Sequence, residues 1–260
     1  MLAALNSHER DGRIGFEEEG HKYFVDGVPA LSEGYVSTTT LIHSLFPKFD
    51  PDVVITKMRA SSRWEESKYY GLTSDHIKQM WEKSGKDAAA AGTAMHHNLE
   101  LCQNGLPHDT ASKEFQLFSA FTTDNPALRP FRTEWLIFDE DSRITGSVDM
   151  VYTDDDGRFF ICDFKRSKDI KRSNRWQKGC SPMTSDLDDC NFNHYSLQLG
   201  IYKAILEKNY GIKISSTFLL ILHPAQPQYI EVSTACMSRV VSNIMNWRVS
   251  EMSRERTPGI

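Results

Sequence analysis

Two apolar, β-branched and aromatic runs, residues 144–152 (ITGSVDMVY) and 158–164 (RFFICDF), are separated by Asp154-Asp155-Asp156-Gly157. That spacing predicts a β-hairpin. With residues 155–157 as a three-residue loop and Gly157 at positive φ, Met150 faces Cys162 and Asp149 faces Asp163. Lys165 follows two positions after Asp163 and shares its face. Directly opposed residues have Cβ atoms about 4.5–5.5 Å apart, so the two carboxylates lie within reach of one divalent cation. An acidic pair and a lysine on strands where Val and Phe would pack better point to chemistry. The bland alternative is an Asp-rich hairpin with its acids in water.

The rest of the pattern builds a frame around this hairpin. Residues 13–28 alternate around Glu19-Gly20 and Asp26-Gly27, as short N-terminal hairpin strands do. A short helix is expected from Ser37 to before Pro47. Another starts at Asp50-Pro51-Asp52, an N-cap, a proline at the first helical position and a first-turn acid, and runs to about Trp64. Helices are expected over 74–83, with Gly85 after it, and over 86–103, stopped by Asn104-Gly105. A further helix spans 112–121 and a strand 131–138. Residues 179–191 lack periodicity and are expected as a flexible loop. A helix over 193–210, closed by Gly211, strands over 216–222 and 229–232, and a helix over 234–252 complete the chain. The order helix, three strands, helix, one or two strands predicts an α/β fold, divided into a small N-terminal α+β lobe, 1–72, and a core, 73–260.

Composition narrows the class. A chain of 260 residues with 40% hydrophobic content can bury one sizeable core. No apolar run reaches the length of a membrane span, and residues 1–10 show no secretory pattern, so an intracellular protein is expected. Five cysteines (Cys102, Cys162, Cys180, Cys190, Cys236) without a C-x-x-C pair argue against a disulfide framework and a zinc or iron–sulfur site. The net charge of −5 does not advertise nucleic-acid binding, but charge is unevenly distributed. Residues 166–178 carry six basic residues (Arg166, Lys168, Lys171, Arg172, Arg175, Lys178) against one acid, with Trp176 among them. Such a run is either a solvated loop or a nucleic-acid contact.

Two helical pairs add candidates. His96 and Glu100 are four apart and share a face, as are Gln198 and Tyr202. Each has an ordinary structural explanation. Gly92 costs about 1 kcal/mol relative to Ala within a helix, which invites a packing or close-approach explanation.

In chain order, Gly92-x-x-x-His96, Gly146-x-x-Asp149, Asp163-x-Lys165 and Gln198-x-x-x-Tyr202 resemble the RecB-like branch of the PD-(D/E)XK nuclease superfamily. The resemblance covers residues 86–223. Residues 35–42, YVSTTTLI, are similar to the lead-in of some standalone phage and large-virus nucleases. The resemblance implies a restriction-endonuclease-like αβββαβ core, a mixed sheet flanked by helices, that hydrolyses phosphodiesters with a divalent metal. It implies that His96, Asp149, Asp163 and the Phe164 carbonyl ligate the metal and that Lys165 holds or activates water. Gln198 and Tyr202 would support the site or the DNA backbone, and Glu100 would orient His96 or a metal-bound water. An oxygen-rich set suits Mg²⁺ or Mn²⁺, and one imidazole shifts the preference towards Mn²⁺. Where many relatives have Glu, the third motif has Asp163. The iron–sulfur cysteines of some members are absent, and so is a G-x-x-x-x-G-K-[ST] motor loop, so any unwinding falls to a helicase or recombination partner.

The expected activity is a Mg/Mn-dependent deoxyribonuclease, and an exonuclease before an endonuclease, because no sequence-reading module is recognisable. A role in recombination, repair or replication follows from the same resemblance. The alternatives are a structure-selective endonuclease on the same core and a non-catalytic DNA-binding subunit. The latter is disfavoured by the presence of Asp149, Asp163 and Lys165 together. A metalloprotease is disfavoured because His97-x-x-Glu100 is not H-E-x-x-H.

Overall fold

The central hairpin forms in the expected register. In the computed structural model, which describes residues 1–255, β6 (Ile144–Thr153) pairs antiparallel with β7 (Phe159–Lys165), Met150 opposite Cys162 and Thr153 opposite Phe159. Asp154 and Arg158 close the turn through an Asp154 N–H to Arg158 carbonyl bond of 3.1 Å. Gly157 takes φ 72°, a conformation glycine adopts without a Cβ clash.

Around it the elements run α1 (Leu2–Leu5), β1 (Ile14–Glu17), β2 (Lys22–Val25), β3 (Val28–Pro29), β4 (Val36–Ser37), α2 (Thr38–Ser44), α3 (Pro51–Arg59), α4 (Ser74–Gln103), α5 (Lys113–Asp124) and β5 (Arg129–Asp139). After β6 and β7 come α6 (Asn191–Asn209), β8 (Ile214–Ile221), β9 (Ile230–Ser233) and α7 (Ser238–Glu255). Strands β1, β2 and β3 form a small antiparallel sheet. The main sheet is mixed: β5 pairs antiparallel with β6, β7 parallel with β8, and β8 antiparallel with β9. This is the expected α/β core of three antiparallel strands, a crossover helix and a parallel strand. No described helix is long and apolar enough to cross a membrane.

Two apolar layers sandwich the sheet. One face packs on α2, α6 and α7 through Leu41, Val148, Ile161, Leu197, Ile201 and Ile244. The other packs on α4 and α5 through Leu99, Phe118, Phe121, Met150, Cys162 and Phe164. Val148 and Val151, an odd number of positions apart, lie in the same layer. Strict alternation along β6 therefore fails once, at the position of Asp149 and Met150.

The edges of β6 explain why. Strand β5 occupies one edge along its whole length. The other edge is shared, with β4 parallel to Ile144 and Thr145 and β7 opposite residues 150–153. Residues 146–149 lie between them, so the sheet opens there. The N-terminal segment expected as a lobe of its own thus sends β4 into the main sheet, and Leu41, Ile42, Leu45 and Phe46 into the main core.

Two local expectations change. Residues 74–103 form one helix where two were expected, because Gly85 sits exposed, where a Cβ would meet nothing within 4 Å, and interrupts no hydrogen bond by being glycine. Residues 179–191, expected as a flexible loop, are held to α2 and to the basic run. The Cys180 N–H and the Thr184 hydroxyl both donate to the Leu45 carbonyl, at 2.9 and 2.8 Å, and the Asp189 N–H donates to Gln177 O.

Candidate active site

Asp149 lies at the opening of the sheet, where its carboxylate replaces a backbone partner. The Phe164 N–H donates to Asp149 Oδ2 at 2.8 Å. His96, on the core-facing side of α4 beside Met95 and Leu99, reaches the same point. Its Nε2 lies 2.9 Å from the Phe164 carbonyl oxygen, and its Nδ1 lies 3.5 Å from Asp149 and 3.7 Å from Glu134. A carbonyl only accepts, so Nε2 carries a proton in this arrangement.

Glu134 was not among the expected residues. On β5 its φ is 43°, unusual for a non-glycine residue in a strand. Its neighbours Thr133 and Trp135 pair with Met150 and Val148, which sets Glu134 across from Asp149. The Ser147 hydroxyl donates to Glu134 Oε2 at 3.0 Å. One ligand atom from each of His96, Glu134 and Asp149 lies within 4.8 Å of the others, a grouping that could hold a metal ion. The sequence signal was a single acid in the apolar run 131–138, and alternation alone could not tell where it points.

The β6–β7 pairing ends at Met150 and Cys162, one position short of the expected Asp149–Asp163 pair, and the Asp163 carboxylate turns to Lys165, with Nζ 2.6 Å from Oδ2. Gln198 on α6 donates from Nε2 to Asp163 Oδ1 at 3.4 Å and to the Tyr202 hydroxyl at 3.1 Å. The Tyr202 ring fills the space in front of Gly146: a Cβ there would lie 2.4 Å from Tyr202 Cε1. Lys165 Nζ also lies 4.9 Å from the centre of the Tyr195 ring. The four motifs thus meet at one place, with the glycine of the second in contact with the tyrosine of the fourth.

The electrostatics are those of buried acids short of positive charge. Burial pushes Asp163 up to about 6, opposed by Lys165 and reinforced by Asp149. Burial also raises Asp149, against the pull of His96 and Lys165. For His96, burial opposes the charged form, but Asp149 and Glu134 outweigh it and raise the imidazole to about 9. Burial likewise opposes the Lys165 ammonium, yet Asp163 and then Asp149 hold it above its ordinary range. The centre therefore draws cations, whether protons or a metal.

A cavity of about 540 Å³ opens onto His96, Glu134 and Asp149. Gly92 lines it, and a Cβ there would meet nothing within 4 Å, so no packing contact demands the glycine. Glu100 lines it too, but the imidazole beside Glu100 is that of His97, at 4.0 Å. The carboxylates next to His96 are those of Glu134 and Asp149.

The basic run leaves β7 directly after Lys165. Arg166 is tied to Glu114 on α5 at 2.6 Å, and the Arg172 guanidinium lies 4.6 Å from the centre of the Phe192 ring. Lys168, Lys171, Arg172, Arg175 and Lys178 are exposed. Lys178 Nζ donates to the Asp186 carbonyl at 3.4 Å. Trp176 is 93% exposed, which no packing contact accounts for.

The profile of the PD-(D/E)XK nuclease superfamily matches residues 37–251. No curated protein matches the chain. Among solved structures, SSO0001 is similar at 16% identity and a TM-score of 0.34, over 87% of this chain and 78% of its own. A "Putative exonuclease" from Eubacterium rectale is similar at 13% identity and a TM-score of 0.27, over 60% of this chain and 70% of its own.

Proposed function

The chain belongs to the PD-(D/E)XK nuclease superfamily, and from that premise we propose that it is a divalent-metal-dependent deoxyribonuclease, acting from DNA ends, of the RecB-like branch. The reading is supported above all by one convergence: an imidazole and two carboxylates within 4.8 Å, beside a buried Asp–Lys pair. The donors fit a hard divalent ion. His96, Asp149, Asp163, the Phe164 carbonyl and Glu134 offer one nitrogen and otherwise oxygen, which suits Mg²⁺ or Mn²⁺. When bound, such an ion acidifies a water and offsets charge building on the phosphate.

The protein's own groups do the rest. Lys165, held as an ammonium by Asp163, stabilises the attacking hydroxide and orients it. Gln198 and Tyr202 fix the Asp163 carboxylate from α6. Glu100, at the cavity wall, is placed to bond a water entering the site. Lys168, Lys171, Arg172, Arg175 and Lys178 track the DNA backbone, and Trp176 stacks on an unpaired base. Arg166, already paired with Glu114, positions the start of that run. A role in recombination, repair or replication, beside a helicase or recombination partner, goes with the RecB-like reading.

The test uses end-labelled linear and circular DNA, single- and double-stranded, with Mg²⁺, Mn²⁺ or EDTA. Linear DNA is expected to be shortened with either metal and untouched in EDTA, circles are expected to survive, and Asp149→Ala is expected to be inert. Cleavage of single-stranded circles would make it an endonuclease. No cleavage under any condition would leave a DNA-binding subunit.

A further inference from the structure

The cavity at the site has a wall that the family match does not include. Residues 37–251 carry that match, but Phe16 and Tyr23, on β1 and β2, and His21, in the turn between them, line the same cavity as His96, Glu134 and Asp149. The three rings form one group. Phe16 lies 4.8 Å, centre to centre, from both His21 and Tyr23, and His21 lies 6.2 Å from Tyr23. The interplanar angles of 85° and 87° mean that neither neighbour lies flat on the His21 ring. Tyr23 packs at the edge of the small core around Tyr35 and Phe138, but Phe16 and His21 belong to no buried apolar cluster of the described residues. His21 is exposed and is held at φ 53°, at the tip of the hairpin.

The charge of the cavity selects what this wall can bind. Among the described residues, its lining contains no Lys or Arg, and it includes the acids Glu18, Glu100, Glu134 and Asp149. On the hairpin side a phosphate finds no Lys or Arg and faces Glu18, while a flat, neutral, polarisable group finds rings and acceptors. We infer that the β1–β2 hairpin is a base-stacking subsite, in which Phe16 and His21 receive the nucleobase next to the bond being cleaved. The inference rests on the nuclease reading above. The phosphates then run past the ligand cluster towards residues 166–178, and the base turns the other way, onto the hairpin. Base–aromatic stacking tolerates any sequence, because every base has a π face.

The test separates base recognition from a merely structural hairpin. His21→Asn removes the ring while keeping a residue that accepts positive φ, and Phe16→Leu removes a ring while keeping apolar bulk. Single-stranded oligonucleotides carry either normal bases or one abasic nucleotide, stepped along the strand, and kcat and KM are measured with Mn²⁺. In the wild type, an abasic nucleotide at one position is expected to raise KM by about 5- to 150-fold with kcat little changed. Each variant is expected to raise KM on the intact strand by at least about 5-fold and to show no further abasic penalty at that position. An unchanged KM in both variants, or an abasic penalty equal in variants and wild type, overturns the subsite and leaves the nuclease reading standing. A wild-type protein that cleaves none of the oligonucleotides overturns both.

Discussion

Gly146→Ala is the smallest change that should disable the site without touching a reacting group. The added Cβ would lie 2.4 Å from Tyr202 Cε1 and 3.2 Å from Cδ1 and Cζ. Carbon atoms rest about 3.5–4.0 Å apart, so one partner must move by about 1 Å or more. Tyr202 is only 3% exposed and is enclosed by the α6-side core, so its ring cannot swing into solvent. Overpacking of this kind costs about 1–3 kcal/mol. For a chain of this size each kcal/mol lowers Tm by about 2–4 °C, which gives a drop of about 2–12 °C. The same displacement stretches the 3.1 Å bond from Gln198 to the Tyr202 hydroxyl and loosens Gln198 on Asp163. Cleavage by the folded fraction should therefore fall at least about 10-fold. Tyr202→Leu removes the clashing ring, so in that background Gly146→Ala should cost less than about 1 kcal/mol. Thermal melts in EDTA and metal-dependent cleavage measure both effects. A wild-type Tm for Gly146→Ala, or the same cost with and without the Tyr202 ring, would refute the contact.

Three further outcomes are expected. Lys165→Met leaves Asp163 buried without its 2.6 Å partner, at a cost of about 3 kcal/mol near neutral pH that shrinks in acid as Asp163 takes up a proton; urea melts at pH 5 and 7.5 that show equal losses would contradict the pairing. In EDTA, Asp163 (raised to about 6) and His96 (raised to about 9) both hold protons in the folded chain that the unfolded chain releases. Their stability is present below the unfolded values and lost as pH rises through the folded ones, so Tm should fall from pH 5 to 9, with His96→Asn flattening the upper half; a rising Tm would reverse the assignment. Replacing Lys171, Arg172 and Arg175 with Ala should weaken DNA binding and flatten the plot of log K against log salt by up to about 2–3 units, and a salt titration that overlays wild type would make residues 166–178 a solvated loop.

How far the site could be read from the sequence depends on which geometry each residue needs. Asp149, Asp163 and Lys165 could be brought to one place from the sequence because the turn before Arg158 has one glycine able to take positive φ, and that fixes the register as far as Met150 and Cys162, the residues next to Asp149 and Asp163. Glu134 was not, because its own φ of 43° breaks the alternation from which a strand residue's direction is inferred. Glu100 shares a helical face with His96, yet a helical face is wide enough that His97 became its neighbour and β5 supplied the acid beside His96. The single helix over Ser74–Gln103 was missed because Gly85 looks like a stop, although about 1 kcal/mol is little against the rest of a 30-residue helix.

The opening that exposes Asp149 was the least legible feature, and the reason is topological. It exists because two strands from distant parts of the chain share one edge of β6 and stop short of each other. Strand β4 is two residues long, too short for any pattern, and it is fastened by the Thr38 hydroxyl donating to the Thr145 carbonyl at 3.0 Å. Strand β7 begins to pair only at Met150. An unpaired stretch inside a sheet leaves backbone groups to be satisfied, and Asp149 meets part of that demand by accepting the Phe164 N–H. The carboxylate is thereby fixed by the defect it fills, next to the Phe164 carbonyl that His96 engages. Site and frame are in this sense one feature: a longer β4 or an earlier β7 would close the sheet and remove the place where the candidate ligand atoms meet.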